Sequence, residues 1–298
     1  MVTLRDLAVQ FAKKSKMVDD LTNDSPILAT VKWSESTDRF SNTVSKLKEV
    51  TGASIADLNG SLATLSASED LVKFDISKMG GIIEVEEDTA KVYGGAANYF
   101  TKFEKAILRK TGANVEKNIV QTQMLNYALN NAKALKTAAA SGEGYSLYAI
   151  RFVDSETCGI YGKEMPFANG DLLQRVGLYG GNLYKDSDGK LKYGLAYEGF
   201  FGFQIANDHS VGAICNIQDG KLPTSTQVED LLDLVHADNG NTYLYCAPKC
   251  KSLLSGLKTS NMHTVMSDTN MNVVFTHWSG IPIITSYNID KESFHSIA

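Results

Sequence analysis

Hydrophobic and polar positions change period several times along this chain, and each change marks a different element. Near the start, Leu4, Leu7, Ala8 and Phe11 recur at helical spacing. This predicts a short amphipathic helix over residues 3–18, capped by Thr3 with Asp6 three residues on. The turn-rich run Leu21 to Pro26 follows, then Ile27 to Val31. The opening holds too few apolar residues to fold alone, and it predicts an arm that docks on something else. Over residues 41–87 the period becomes two. Val72, Phe74 and Ile76 alternate with Lys73, Asp75 and Ser77, and Ile83 and Val85 alternate with Glu84 and Glu86. Residues 51–69 between them are rich in Gly, Ala and Ser. The pattern predicts a long two-armed excursion with a small-residue tip, and an isolated hairpin of that kind is marginal in water without a neighbour to rest on.

From Gly95 to about Lys136 the helical period returns. Phe100, Phe103 and Ile107 make one apolar face, and Val115, Ile119, Leu125 and Leu129 make a second. Thr111-Gly112-Ala113-Asn114 predicts a break or kink, because glycine weakens a helix interior. A helix of about forty residues would be about 60 Å long at ~1.5 Å per residue. Such a length suits an extended, flattened subunit better than a compact enzyme. After Ser141-Gly142-Glu143-Gly144 the composition turns to strands: Tyr145 to Val153, a hairpin over 182–198 turning at Asp188-Gly189, and a further strand region from Phe200 to Ile217. Thr226 with Glu229 predicts a capping box for a helix that faces inward through Val228, Leu231, Leu232 and Val235 and is ended by Asn239-Gly240-Asn241. Thr242 to Cys246 reads as a short buried strand. Pro248 opens a helix that faces inward through Leu253, Leu254 and Leu257. Val273 to Thr276 and Ile281 to Tyr287 read as closing strands. The fold class is α+β, without an internal repeat.

Composition narrows the function classes. Of 298 residues, 43% are hydrophobic, enough for a real core, and the formal net charge is −5. That balance argues against a duplex-coating nucleic-acid binder, which needs Lys and Arg to neutralise phosphates. No apolar run is long enough to span a membrane, and the first twenty residues lack the pattern of a signal peptide. The four cysteines Cys158, Cys215, Cys246 and Cys250 read as reduced thiols.

The search for chemistry yields no catalytic, cofactor-binding or metal-ligating residue. There is no GxSxG, HExxH or P-loop, and Leu147 stands where a dinucleotide fingerprint starting at Gly142 would need its third glycine. His209, His236, His263, His277 and His295 include no pair four apart. Cys246 and Cys250 flank Pro248 and read as a strand residue and a helix residue facing different ways. Asp186-Ser187-Asp188-Gly189 reads as a hairpin turn and not a calcium loop. Its glycine comes too early, and Tyr197 stands at the twelfth position. The acidic cluster Glu84, Glu86, Glu87 and Asp88 reads as a solvated face, or one paired to lysines on another subunit.

The order and spacing of several segments resemble the major capsid proteins of tailed bacteriophages, and more closely those of epsilon15-type podoviruses. These are the opening Thr3-Leu4-Arg5-Asp6-Leu7-Ala8, the long helix from Gly95, Ile150-Arg151-Phe152, Gly202-Phe203-Gln204-Ile205 leading into Val211 to Ile217, the strand-Pro-helix run Tyr243 to Leu257, and Trp278-Ser279-Gly280-Ile281-Pro282-Ile283 near the end. At Ala213 many relatives would carry a basic residue, so no role for that charge is carried over. The resemblance implies the Hong Kong 97-type fold: an N-terminal arm (1–40), an extended loop (41–93), a peripheral domain with a long spine helix (94–150), an axial domain (151–270) and returning peripheral strands (271–298).

The same resemblance implies a non-enzymatic structural subunit of an icosahedral virion. It would self-assemble into pentamers and hexamers in the host bacterial cytoplasm and enclose double-stranded DNA through non-specific contact. The expected partners are further copies of itself, a portal protein, decoration proteins and a scaffolding protein. The scaffold is expected as a separate chain, because the sequence starts almost at the arm. No cofactor and no membrane partner are expected. The rival readings are an encapsulin-like nanocompartment shell, a minor virion protein and, in a different class, a cytoplasmic enzyme with a non-local active site.

Overall fold

The computed structural model describes residues 24–55, 61–163, 173–257, 262–265 and 274–297. The helix predicted over 3–18, with its Thr3 cap, lies outside the described residues, as does the centre of the excursion's tip. In chain order the strands and helices are β1 (Trp33–Glu35), β2 (Ser41–Val50), β3 (Ala67–Asp75), β4 (Ser77–Glu86), α1 (Glu87–Val92), α2 (Ala96–Lys117), a π-helical stretch (Asn118–Met124), α3 (Leu125–Asn130), β5 (Ala134–Lys136), β6 (Tyr145–Arg151) and β7 (Thr157–Tyr161). Then follow β8 (Gln174–Gly177), β9 (Tyr184–Lys185), β10 (Leu191–Ile205), β11 (Val211–Ile217), α4 (Ser225–Leu234), β12 (Thr242–Cys246), α5 (Pro248–Leu254), β13 (Met262–Val265), β14 (Val274–Trp278) and β15 (Ile281–Thr285).

Two sheets organise these elements. The larger runs β13-β14-β15-β12-β6-β11-β5. Its centre is apolar and covered on both faces: every residue of β11 is buried, and α4 packs on it through Val228, Leu231 and Leu232. The smaller sheet runs β1-β7-β10-β4, with β8 and β9 also paired to β10. The fifteen-residue β10 is its backbone, antiparallel to β4 along Lys192–Phe201 and to β7 along Phe201–Ile205. The hairpin β2–β3 stands apart as a two-stranded sheet.

The long helix joins the two sheets. Its first half lies on the smaller sheet, where Phe100 shares a cluster with Val85, Ala90, Leu195 and Tyr197. Its second half enters the main core through Val115, Ile119, Val120, Met124, Leu125 and Ala128. The π-helical stretch between Lys117 and Leu125 explains the change of face. Val115, Val120 and Leu125 are five apart, and so are Ile119 and Met124. A π-turn, with its i→i+5 bonding, brings residues at that spacing into line, where an α-turn would spread them around the helix.

Several predictions from the pattern need correction. The helix does not break at residues 111–114. A Cβ at Gly112 would lie 3.2 Å from Ser25 Oγ, so this glycine makes room for the segment that crosses the helix. The helix ends at Asn130 instead of near Lys136, because Ala134–Lys136 pairs in parallel with β11. The two arms of the excursion are β2 and β3. Ser77–Glu86 is not an arm but a strand of the smaller sheet. The capping box sits on Thr224 and Gln227, not Thr226 and Glu229. Trp278 and Ile281 belong to two strands joined by a tight turn, with Ser279 and Gly280 both in the left-handed region (φ 46° and 84°).

Replacing Ile119, fully buried where the long helix meets the main core, with alanine is expected to lower stability by roughly 2–5 kcal/mol. Leu108→Ala, on the exposed side of the same helix, should cost well under about 1 kcal/mol. Urea unfolding of the two variants checks both values.

Candidate assembly surfaces

The hairpin is anchored at its base and bare beyond it. Ser41 and Asn42 are buried, Val44 is half-buried, and from Leu47 outward β2 is exposed. The base is fixed by polar bonds. Asn42 Nδ2 donates to the buried Gln204 Oε1, whose amide in turn donates to Ser155 O at 2.6 Å. Ile76 N donates to Phe40 O at 2.9 Å. Further out, Lys46 Nζ reaches Asp208 at 2.8 Å, and this contact holds the Asp208 carboxyl below its usual range. Beyond these contacts the hairpin exposes Leu47, Val50, Ile55, Leu62, Leu65 and Leu71, with Ile55 fully exposed and Leu62 at 86%. The described tip residues, 51–55 and 61–66, carry no charge. Apolar exposure of this kind marks a contact surface.

A second set of contacts seats residues 24–31 on the long helix of the same chain. Ile27 and Val31 are buried in the main core. Glu116, fully buried on the helix, accepts from Ile27 N at 3.1 Å and from Asn288 Nδ2 at 2.6 Å, and Asn288 also donates to Asp24 O. One carboxyl group therefore ties the incoming segment, the helix and the C-terminal segment together. Burial raises the pKa of Glu116, partly offset by these hydrogen bonds. Of the stretch read as an arm, residues 24–35 thus rest on their own chain, and β1 pairs in parallel with β7.

The acidic cluster is satisfied from within. Glu84 accepts from Tyr184 and Lys192, Glu86 pairs with Lys190 at 2.8 Å, and Glu87 pairs with Lys91 at 2.7 Å. Lysine partners for it stand on this chain itself. Asp186–Gly189 is a turn: Asp186 Oδ1 accepts from the backbone N–H groups of Asp188 and Lys190, and Gly189 has φ 83°. Cys246 and Cys250 do not face apart. Both are buried, and they share a hydrogen bond that, with burial, pushes the Cys250 thiol up. Burial also pushes Cys158 up to about 11 and Cys215 up to about 12, so these thiols are poor nucleophiles. His209 and His236, far apart in sequence, stack face to face. Spacing along the chain carried no signal for that pair. Among the described residues no group of three or more His, Cys, Asp or Glu is placed to hold a metal, and no helix is long and apolar enough to cross a membrane.

No protein-family model matches this chain, and no curated protein matches it. Solved structures do. A structure of bacteriophage epsilon15 superposes with a TM-score of 0.58 at 12% identity, covering 94% of this chain and 90% of that one. The capsid of bacteriophage JBD30 gives 0.55 at 10% identity, covering 95% and 98%. The SrpI encapsulin of Synechococcus elongatus gives 0.51 at 9% identity, covering 74% and 99%. The chain therefore has the α+β fold seen in phage capsids, which is Hong Kong 97-like at the coarse level and is shared by an encapsulin.

The raised pKa of Glu116 sets a pH dependence. The fold favours the protonated carboxyl, so this group's contribution to stability is full below the ordinary carboxylate range and is lost as pH rises through its folded value. Glu116→Gln removes that titration. The stability of the wild type relative to this variant is expected to fall as pH rises from about 4 towards neutrality. Thermal unfolding of both proteins across that range reads the difference, and parallel curves would contradict it.

Proposed function

We propose that this chain is the shell-building subunit of a tailed-phage capsid of the epsilon15 type, with no catalytic role. The observation that carries the reading is the hairpin β2–β3. Its base is locked to the body, while its two strands and the described residues of its tip present apolar side chains that the chain itself does not cover. The fold shared with phage particles supports it. In this reading five or six copies close into capsomers through heterologous contacts. The hairpin lies over an adjacent copy, and the residues before Asp24 reach a further one. The docked surface offsets the entropy of ordering both segments. The domain division is an arm ending near 40, an extended loop to 93, a peripheral domain with the long helix to 150, an axial domain to 270, and returning strands. The virion is the site of action, DNA is enclosed without specific contacts, and a separate scaffold and a portal are the partners.

The likeness to an encapsulin favours one second reading, a nanocompartment shell that packages protein cargo. Both readings share the subunit contacts and differ in what the shell contains.

Replacing residues 46–70 by a two-residue Asn-Gly turn is expected to abolish closed shells while leaving the spectrum of the folded chain intact. Deleting residues 1–20 should do the same. Negative-stain electron microscopy of the chain co-expressed with its candidate scaffold reads both variants, and normal shells from either would refute the role given to that segment. Nucleic acid inside wild-type shells supports the phage reading and enclosed protein the nanocompartment. A monodisperse particle of a few chains, with no shells at any salt concentration, would overturn both. Closed shells of uniform size from the chain alone would overturn the scaffold expectation.

A further inference from the structure

Residues 206–210, the turn between β10 and β11, link the two sheets to the hairpin. Asp208 Oδ1 accepts from Lys46 Nζ of the hairpin at 2.8 Å and from Tyr127 OH on α3 at 3.1 Å. Asn207 donates to Glu156 at 2.6 Å and accepts from His209 N at 2.8 Å. The Arg151 guanidinium donates to Val235 O at 3.0 Å and to His209 O at 3.3 Å, tying the turn to the end of α4. Above these bonds the exposed rings of His209 and His236 stack, with centroids 4.0 Å apart and planes within 9°. His236 holds its place in the left-handed region, at φ 49°.

Beside the turn, Val44, Lys46, Leu47, Glu156, Asp208 and His209 line a cavity of about 260 Å³. The hairpin is thus held to the turn by polar bonds across a gap and not by packed apolar side chains. The buried hydroxyls of Ser210 and Thr157 have no hydrogen-bond partner among the described residues, so the junction is under-satisfied even when closed.

We propose that the stacked pair His209–His236 is an acid-sensitive catch on the hairpin. With at least one ring neutral the stack fixes the turn and holds Asp208 against Lys46. With both rings protonated the stack opens, the turn shifts and the base of the hairpin is released. The pair faces Arg151 from β6, Lys133 just past α3 and Asp233 from α4, with Asp208, Glu156 and Lys46 on the hairpin side. Asp208 and Glu156 are engaged with Lys46 and Asn207, so they do little to neutralise a second imidazolium. For His236, burial, His209, Arg151 and Lys133 disfavour the proton, and Asp233 opposes them. A depressed imidazole contributes stability that is present above its unfolded value, about 6.5, and is lost as pH falls through it. Release therefore belongs below about pH 6.5. Its consequence for assembly rests on the hairpin's role proposed above, whereas the catch is a property of the single chain.

Hydrogen exchange of the full-length chain at pH 7.5 and pH 5.5, corrected for intrinsic rates, tests the catch. Peptides covering residues 41–50 and 206–210 should lose about tenfold in protection at the lower pH, a factor of the size one such ionisation can supply. Peptides of the larger sheet's centre should not change. His236→Phe, which keeps a ring on His209 without a titratable charge, should be equally protected at both values. His236→Asn, which suits the left-handed backbone, serves where the first variant does not fold and should also be flat with pH. Lys46→Met should be poorly protected at both. A wild type with no pH dependence, or a His236 variant that keeps the full dependence, overturns the proposal. Because no shell is scored, failure here is separable from failure of the shell reading.

Discussion

The long helix is gripped at one end and laid on a sheet at the other, and the position of almost every other part follows from this. From Val115 onward its side chains lie in the main core, alongside the buried strands of the larger sheet. Before that point it rests on the smaller sheet through Phe100 and its neighbours. The two contacts need different faces of one helix. The π-helical stretch supplies the change of phase without a break, so one continuous element contacts both sheets. The smaller sheet also reaches the main core directly, through Phe201 and Phe203 of β10.

The second constraint is how the outer segments attach. Residues 286–297 run past the helix and sheet on polar bonds: Asn288 to Glu116, Asp290 to Lys117, Glu292 to Gln121, Ser146 and Tyr148, His295 to Asn216, and Ile297 O to Lys136. The hairpin base is held in the same manner, by Gln204 and Asp208. Each such bond is worth about 1 kcal/mol net, whereas the fully buried side chains of the main core are worth several each. The molecule therefore has an apolar centre to which the outer segments are fixed largely by polar bonds, with Ile289 of the C-terminal segment also buried in the core.

Much of this was legible in the sequence. Alternation at Val72, Phe74 and Ile76 marked a half-buried strand, Phe200 to Ile217 read as a strand region that the structure resolves into the end of β10 and β11, and the 3.6 period marked the long helix. What failed did so for identifiable reasons. Alternation fixes the faces of a strand but not its partner, so β4 could not be separated from the hairpin until its pairing with β10 was seen. The glycine penalty at Gly112 was read as a break because the crossing of Ser25 is a long-range contact. The run Thr224-Ser225-Thr226-Gln227-Val228-Glu229 offers two overlapping capping boxes. The chain uses the first, in which Gln227 also donates to Lys136 O at 2.9 Å and so binds the helix to β5. The five-residue spacing of Val115, Val120 and Leu125 was visible but lies outside the two periods by which helices and strands are recognised.

The distribution of unsatisfied groups then decides what kind of neighbour the chain calls for. Several of its charges are answered internally: the acidic strand face by Lys190, Lys192 and Lys91, and the arm segment by Arg109. Surface pairs like these add little stability. Among the described residues the projecting hairpin leaves Leu47, Val50, Ile55, Leu62, Leu65 and Leu71 uncovered. These apolar side chains gain most from a matching apolar surface, which discriminates little by charge, so selectivity has to come largely from geometry. The anchored base supplies that geometry by fixing the angle at which the hairpin leaves the body. The net charge of −5 limits indiscriminate association between copies until the angle brings the tip to its seat. A contact chosen by angle instead of charge can be repeated in identical form around a ring, which is what a closed assembly requires of its subunit.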